Sequence, residues 1–151
     1  MKEIESTVHE LEIVYKPGTY QTGQKVTNSE EAHRVLMQVF NQNTIACQEQ
    51  VIVLHLDHAN QVKGFQRLST GGISTTTIDI RLVLSVALKC FASGLIISHN
   101  HPSGLTQPSE QDIQITKRLK DGCKLLDIVL LDHVIVTPGN KYYSFRDENQ
   151  L

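Results

Sequence analysis

The amino-acid sequence predicts an α/β domain with a mixed β-sheet flanked by helices. Three observations support this prediction: extended and helical segments alternate along the 151 residues, one adjacent pair of extended segments has the pattern of an antiparallel hairpin, and 40% of the residues are hydrophobic. No repeat or Pro/Ser-rich linker divides the chain. We therefore expect residues 1–27, a strand and a connection, to form one unit with residues 28–151.

The first half of the chain contains the predicted hairpin. LEIVYK (residues 11–16) is a predicted strand, and NSEEAHRVLMQVFNQ is a predicted amphipathic helix whose N-cap is Asn28 or Ser29. QVIVLHLD and VKGFQRLST, connected by HANQ, form the predicted hairpin. TIDIRLVLSVALKCFA follows as a helix that is apolar on most sides, as expected for a helix packed against a sheet.

The second half alternates strand and helix. GLIISHN is a predicted buried strand, and PSEQDIQITKRLKDGCKLLD is a predicted N-capped helix. This helix places four residues along one stripe: Ile115, Leu119, Gly122 and Leu126. IVLLDHVIV is a second buried strand, TPGN a turn and KYYSF a final edge strand. In such sheets, sites gather where strands end and helices begin.

Charge and cysteine content restrict the class of protein. The 14 basic and 16 acidic side chains give a formal charge of -2, so we expect no strong direct binding of nucleic acid by this chain alone. The 3 cysteines form no Cys-x-x-Cys pair, which indicates a reduced, cytoplasmic protein. Charges interrupt the N-terminal residues, and we predict neither a targeting segment nor a membrane span. The sequence determines no oligomeric state.

The segment SHNHPSGLTQPSEQD (residues 98–112) contains a possible metal site. At a strand end, His99 and His101 project to the same side, and Asp112 follows in the first turn of the next helix. Two imidazoles and a carboxylate suit Zn²⁺ and leave its fourth tetrahedral position open, as in catalytic sites. Ser109 and Asp112 also form a Ser-x-x-Asp capping box, which by itself requires no chemistry. The two interpretations are compatible.

The spacing of these residues resembles a known motif. His99-x-His101, seven residues, Ser109, two residues and Asp112 fit the JAMM (MPN+/JAB-type) metallopeptidase motif without a gap. SHNHPSG, PSEQDIQITKRL, LLDHVIV and YYSF further resemble the catalytic domain of the bacterial RadC family, from about the first helix to the end of the chain. The resemblance implies a cytidine-deaminase-like α/β fold, in agreement with the predicted mixed sheet.

The resemblance also implies a role for each motif residue. His99, His101 and Asp112 would ligate one Zn²⁺ per chain. Glu49, in CQEQVIVLHLD, matches the glutamate that acts as general base, and Ser109 would stabilise the tetrahedral oxyanion. The implied reaction is hydrolysis of a peptide or isopeptide bond in a peptide or protein substrate.

Two alternative functions stay open. RadC-like proteins have commonly been named as accessory factors in DNA repair or recombination, and the domain could instead be an inactive interaction module. RadC proteins usually have a preceding helix-hairpin-helix domain, for which we expect no room here. By contrast, an HNH nuclease spreads its residues over a ββα unit, a zinc deaminase needs Cys-x-x-Cys, and no cysteine has a protease signature.

Three further interpretations concern residues outside the motif. His133 is either a core histidine or a group that hydrogen-bonds near the site, whereas His9, His33, His55 and His58 are more typical of surface or hairpin positions. GFQRLSTGGISTTTID is a candidate specificity loop, with Arg67 and Leu68 as the residues to replace.

Overall fold

The computed structural model describes residues 8, 10–14, 16, 23–70 and 78–151. The elements of these ranges are, in order, α1 (Ser29–Val39), β1 (Gln50–Leu56), β2 (Val62–Thr70), α2 (Ile80–Lys89), β3 (Gly94–Asn100), α3 (Glu110–Leu125), β4 (Val129–Val136) and β5 (Tyr142–Ser144). The strands form one sheet in the order β2-β1-β3-β4-β5. Strands β3 and β4 are parallel and the other neighbours antiparallel, which confirms the mixed sheet and the hairpin.

Each helix begins at a side-chain cap that the sequence contains. Asn28 accepts a hydrogen bond from the Glu31 backbone at the start of α1, and Asp79 accepts one from the Arg81 backbone at the start of α2. Ser109 caps α3 within a complete capping box. No helix in the described ranges is long and apolar enough to cross a bilayer.

The sheet separates two hydrophobic clusters. On one face α1 packs against the sheet, and on the other face α2 and α3 do so. Alternate residues of the central strands serve the two faces: Ile52 and Ile96 face α1, whereas Val51 and Ile97 face α2 and α3. Strands β1 and β3 are therefore buried along their whole length, which explains their nearly continuous apolar sequences.

Three sequence predictions need correction. The strand over residues 11–16 is wrong for its described residues, because 11–14 and 16 have no regular structure and Leu11 and Val14 are exposed without a paired strand. Leu126 lies beyond the end of α3 and is exposed; the buried residues of α3 are Thr116, Leu119 and Cys123. Residues 64–70 of the candidate specificity loop belong to β2, and residues 71–77 lie outside the described ranges.

The helix α2 is also less completely covered than its sequence suggests. Val83 and Ala87 are buried, whereas Leu82 and Leu88 are exposed. A helix on the outside of a sheet buries only the stripe that faces the sheet, so its opposite side contacts solvent however apolar it is. Directly before α1, Val26 is buried in the α1 cluster and Lys25 bridges to Gln61.

The buried His55 of β1 predicts a loss of stability in mild acid. Burial lowers its pKa to about 4, although a hydrogen bond with Gln66 opposes the shift. The unfolded chain binds this proton near pH 6.5, whereas the folded chain binds it only near pH 4. The contribution of neutral His55 to the free energy of unfolding is therefore complete above pH 6.5 and is lost as the pH falls toward 4. We expect a loss on the order of 3 kcal/mol from this residue, measured by urea unfolding across that range. In His55→Leu the slope should be reduced, and an unchanged slope would contradict the assignment.

Candidate metal site

Three side chains meet where β3 ends and α3 begins. His99 is the penultimate residue of β3, His101 is the first residue after it, and Asp112 lies in the first turn of α3. His99 Nε2 lies 3.0 Å from His101 Nε2 and 3.2 Å from Asp112 Oδ1, and His101 Nε2 lies 3.7 Å from Asp112 Oδ2. Among the described residues, these three alone form a group whose possible ligand atoms all lie within 4.8 Å of one another.

The start of α3 orients the carboxylate. Asp112 Oδ2 accepts hydrogen bonds of 2.7 Å from both the backbone N–H and the hydroxyl of Ser109, and the Asp112 backbone N–H donates to Ser109 Oγ at 3.1 Å. This capping box directs Oδ1 toward His99. The helix cap and the candidate site therefore use the same two residues.

Hydrogen bonds on the far side of each imidazole orient the histidines. His101 Nδ1 lies 2.8 Å from the backbone carbonyl of Leu105, which only accepts, so this nitrogen bears the proton. His99 Nδ1 lies 2.9 Å from His133 Nε2. Both rings thus turn Nε2 toward Asp112, as two metal ligands do.

The electrostatics of the group favour a positive charge beside the carboxylate, from a proton or from a metal ion. Burial opposes ionisation of Asp112, but hydrogen bonds with His101 and His99 outweigh it and lower its pKa. The hydrogen bond with Asp112 raises the pKa of His101 against the effect of burial. Two imidazole nitrogens 3.0 Å apart repel each other unless a proton or a metal ion lies between them. Two nitrogens and one oxygen are a donor set that fits a divalent metal ion, and the group can hold one.

Glu49 lies beside this group, in the loop directly before β1. Val51 pairs with His99 across the β1–β3 ladder, and Glu49 precedes Val51 by two residues as His101 follows His99 by two. Its charge contributes to the raised pKa of His101. Glu49 is not part of the three-residue group that can hold a metal.

Asn100, between the two histidines, holds the loop that contains Glu49. Its Nδ2 donates to the backbone carbonyls of Ile45 and Gln48 at 2.8 and 2.9 Å, and its Oδ1 accepts from the Gln50 backbone N–H at 2.6 Å. The side chain is 0% exposed. Two of these bonds hold the residues on either side of Glu49. They lie directly beyond Val51 and His99, the last pair of the β1–β3 ladder. Asn100 has a role here that sequence analysis missed.

The other predicted positions divide clearly. His133 contacts His99, as expected if it hydrogen-bonds near the site. Burial keeps the pKa of His133 well below the usual value. His55 is buried in β1 and His33 stacks on Tyr142, so neither is in the site. Arg67 binds the backbone carbonyl of Val39 and the side chain of Gln50, and its role in specificity stays a prediction.

The mixed five-stranded sheet, flanked by helices and bearing a His-His-Asp group at a strand end, defines a JAB/MPN-type domain. The chain belongs to the family described as RadC-like JAB domain, whose model matches residues 26–151. The match includes every helix and strand of the described residues, from α1 to β5.

Bacterial relatives agree with this membership. The chain is 43% identical over 124 residues to a protein of Flavobacterium johnsoniae named UPF0758, covering 82% of this chain and 52% of the relative. A UPF0758 protein of Aquifex aeolicus is 37% identical over 126 residues, 83% of this chain and 52% of its own length. One of Streptococcus agalactiae is 35% identical over 151 residues, 100% of this chain and 62% of its own. The chain thus spans about half the length of the first two relatives.

The contacts of Asn100 predict that Asn100→Asp loosens the loop before β1. The carboxylate cannot donate to Ile45 or Gln48, and it places a buried charge against two carbonyl oxygens. We expect the free energy of unfolding to fall by about 2–4 kcal/mol and the backbone amides of residues 45–50 to exchange hydrogen faster by mass spectrometry. Ser98→Ala, also buried on β3, is the matched control. Unaltered exchange in Asn100→Asp would show that its side chain does not hold the loop.

Proposed function

We propose that this domain is a cytoplasmic, zinc-dependent JAMM-type metallohydrolase that cleaves a peptide or isopeptide bond. The observation that supports the proposal most is the convergence of His99 Nε2, His101 Nε2 and Asp112 Oδ1 on one point. Three protein ligands of this kind are typical of catalytic zinc sites, whereas structural sites use four. When bound, Zn²⁺ supplies Lewis acidity that activates a water molecule near neutral pH.

In this proposal Glu49 is the general base. Its charge contributes to the raised pKa of His101, and Asn100 holds the backbone on either side of it, at Gln48 and Gln50. A carboxylate in this place takes a proton from the attacking water and returns it to the leaving amine. Hydrolysis then breaks the carbon–nitrogen bond, and the products are a carboxylate and an amine.

Ser109 is the proposed donor to the oxyanion. In the structure its hydroxyl donates to Asp112 Oδ2. Its backbone N–H donates to the same oxygen, so the Asp112 carboxylate keeps one hydrogen bond from Ser109 when the hydroxyl proton turns toward the substrate. A donor that meets the charge as it develops stabilises the transition state more than the ground state.

The competing proposal is a non-proteolytic accessory role in DNA repair or recombination. The formal charge of -2 does not favour direct binding to a phosphate backbone. A salt-sensitive complex with duplex DNA at low micromolar concentration would favour this second proposal.

Metal content and Glu49 together test the proposed hydrolysis. We expect about one Zn²⁺ per chain by elemental analysis, in the wild type and equally in Glu49→Gln, because Glu49 is not a ligand. The wild type incubated with a library of peptides and isopeptide-linked peptides should produce new amine termini detected by mass spectrometry. Glu49→Gln should reduce this cleavage at least about 100-fold.

Glu110→Gln is the matched control, since Glu110 is exposed in the first turn of α3 and does not belong to the metal-binding group. It should cleave as the wild type does. Absence of bound metal, or equal cleavage by Glu49→Gln and the wild type, would refute the proposed reaction.

A further inference from the structure

We propose that Thr116 and His133 are positioning residues that fix the tautomer of His99 and so keep the lone pair of its Nε2 directed at the metal. This inference rests on the proposed metal site, and it concerns residues to which the motif assigns no role. The observation behind it is a continuous chain of hydrogen bonds from α3 through β4 to β3.

The direction of the chain is set at Thr116. Its Oγ1 lies 2.5 Å from the backbone carbonyl of Asp112, one helical turn earlier, and 2.5 Å from His133 Nδ1. A hydroxyl has one proton, and a carbonyl oxygen only accepts, so the proton of Thr116 lies toward Asp112. The contact with His133 then requires a proton on His133 Nδ1, which donates to Thr116.

The tautomer of His133 determines that of His99. A neutral imidazole with its proton on Nδ1 has a bare Nε2, and this nitrogen lies 2.9 Å from His99 Nδ1. His99 must therefore bear its proton on Nδ1 and donate it to His133. The lone pair of His99 Nε2 consequently faces His101 and Asp112, where a metal ligand needs it.

The surroundings of His133 hold its ring in place. The residue is 0% exposed, and its ring stacks on Phe145 with centroids 4.6 Å apart and planes 6° from parallel. Its backbone N–H donates to Asp132 Oδ1 at 2.7 Å. The stack fixes the plane of the ring, and the contacts of Nδ1 with Thr116 and of Nε2 with His99 fix its orientation within that plane.

An imidazole that orients a metal-binding histidine needs a further group to fix its own tautomer. Metal-binding histidines usually donate to a carboxylate or a carbonyl, which always accepts, as His101 does to Leu105. An imidazole either donates or accepts, so His133 alone does not determine which nitrogen of His99 is bare. Thr116 removes this ambiguity because it lies four residues after Asp112 on the same helix.

Substitutions at Thr116 test the inference through the ring protons themselves. In metal-free wild type, long-range proton–nitrogen NMR spectra should show His133 and His99 with their protons on Nδ1. Thr116→Val has nearly the same shape without the acceptor, so His133 should move its proton to Nε2 and His99 should follow. Zn²⁺ affinity should then fall about 10–100-fold. Thr116→Ser retains the hydroxyl and should restore both the tautomers and the affinity.

A second pair of variants tests the same chain at His133. His133→Gln retains an amide oxygen that can accept from His99 and should bind Zn²⁺ more tightly than His133→Leu. Ser98→Ala is the control, because Ser98 Oγ donates to Val134 and lies outside the chain of hydrogen bonds. It should leave tautomers and affinity unchanged.

Two results would overturn the inference: a wild-type His133 with its proton on Nε2, or Thr116→Val with wild-type tautomers and affinity. Should Thr116→Val fail to fold, equal Zn²⁺ affinity in His133→Gln and His133→Leu would overturn it. None of these measurements uses a substrate. If the wild type has the expected tautomers and binds Zn²⁺ but does not cleave, the proposed hydrolysis alone is refuted. If the wild type cleaves but Thr116→Val leaves the tautomers of His133 and His99 unchanged, this inference alone is refuted.

Discussion

The pairing of β1 with β3 is the constraint on which the remaining structure depends. Both strands are buried on both faces, so a shift of one residue would move every apolar side chain to the wrong cluster. The register that satisfies both clusters places Val51 opposite His99. It thereby brings the loop before β1, which contains Glu49, beside the end of β3, where Asn100 holds it. Hydrophobic packing thus determines which polar groups can meet at the edge of the sheet.

Each of the three proposed metal ligands also makes a hydrogen bond to a neighbouring group of the protein. Asp112 caps α3 with Ser109, His101 donates to the Leu105 carbonyl and His99 contacts His133. Such bonds select one rotamer and one tautomer for each side chain before a metal arrives, which reduces the entropy lost on binding. The helix cap and the metal site are compatible because one carboxylate oxygen serves the cap and the other faces His99.

The parts of the structure that sequence predicted are those determined locally. Apolar runs and caps located the strands and helices from Asn28 onward, and the spacing of His99, His101 and Asp112 predicted that they meet. The contacts of Thr116 with His133 depend on the parallel placement of β4 beside β3, and local patterns do not contain this information. The strand predicted over residues 11–16 does not form in the described part of that range for a related reason, since strand propensity forms no strand without a partner. The role of Glu49 as general base rests on family resemblance and stays a prediction.

We propose that His99, His101 and Asp112 together bind one metal ion. A crystal of the zinc-loaded protein, measured on both sides of the zinc absorption edge, tests it most directly. We expect one anomalous peak per chain at about 2.0–2.2 Å from His99 Nε2, His101 Nε2 and an Asp112 carboxylate oxygen. No peak at these three residues, or a peak that excludes either histidine, would contradict it.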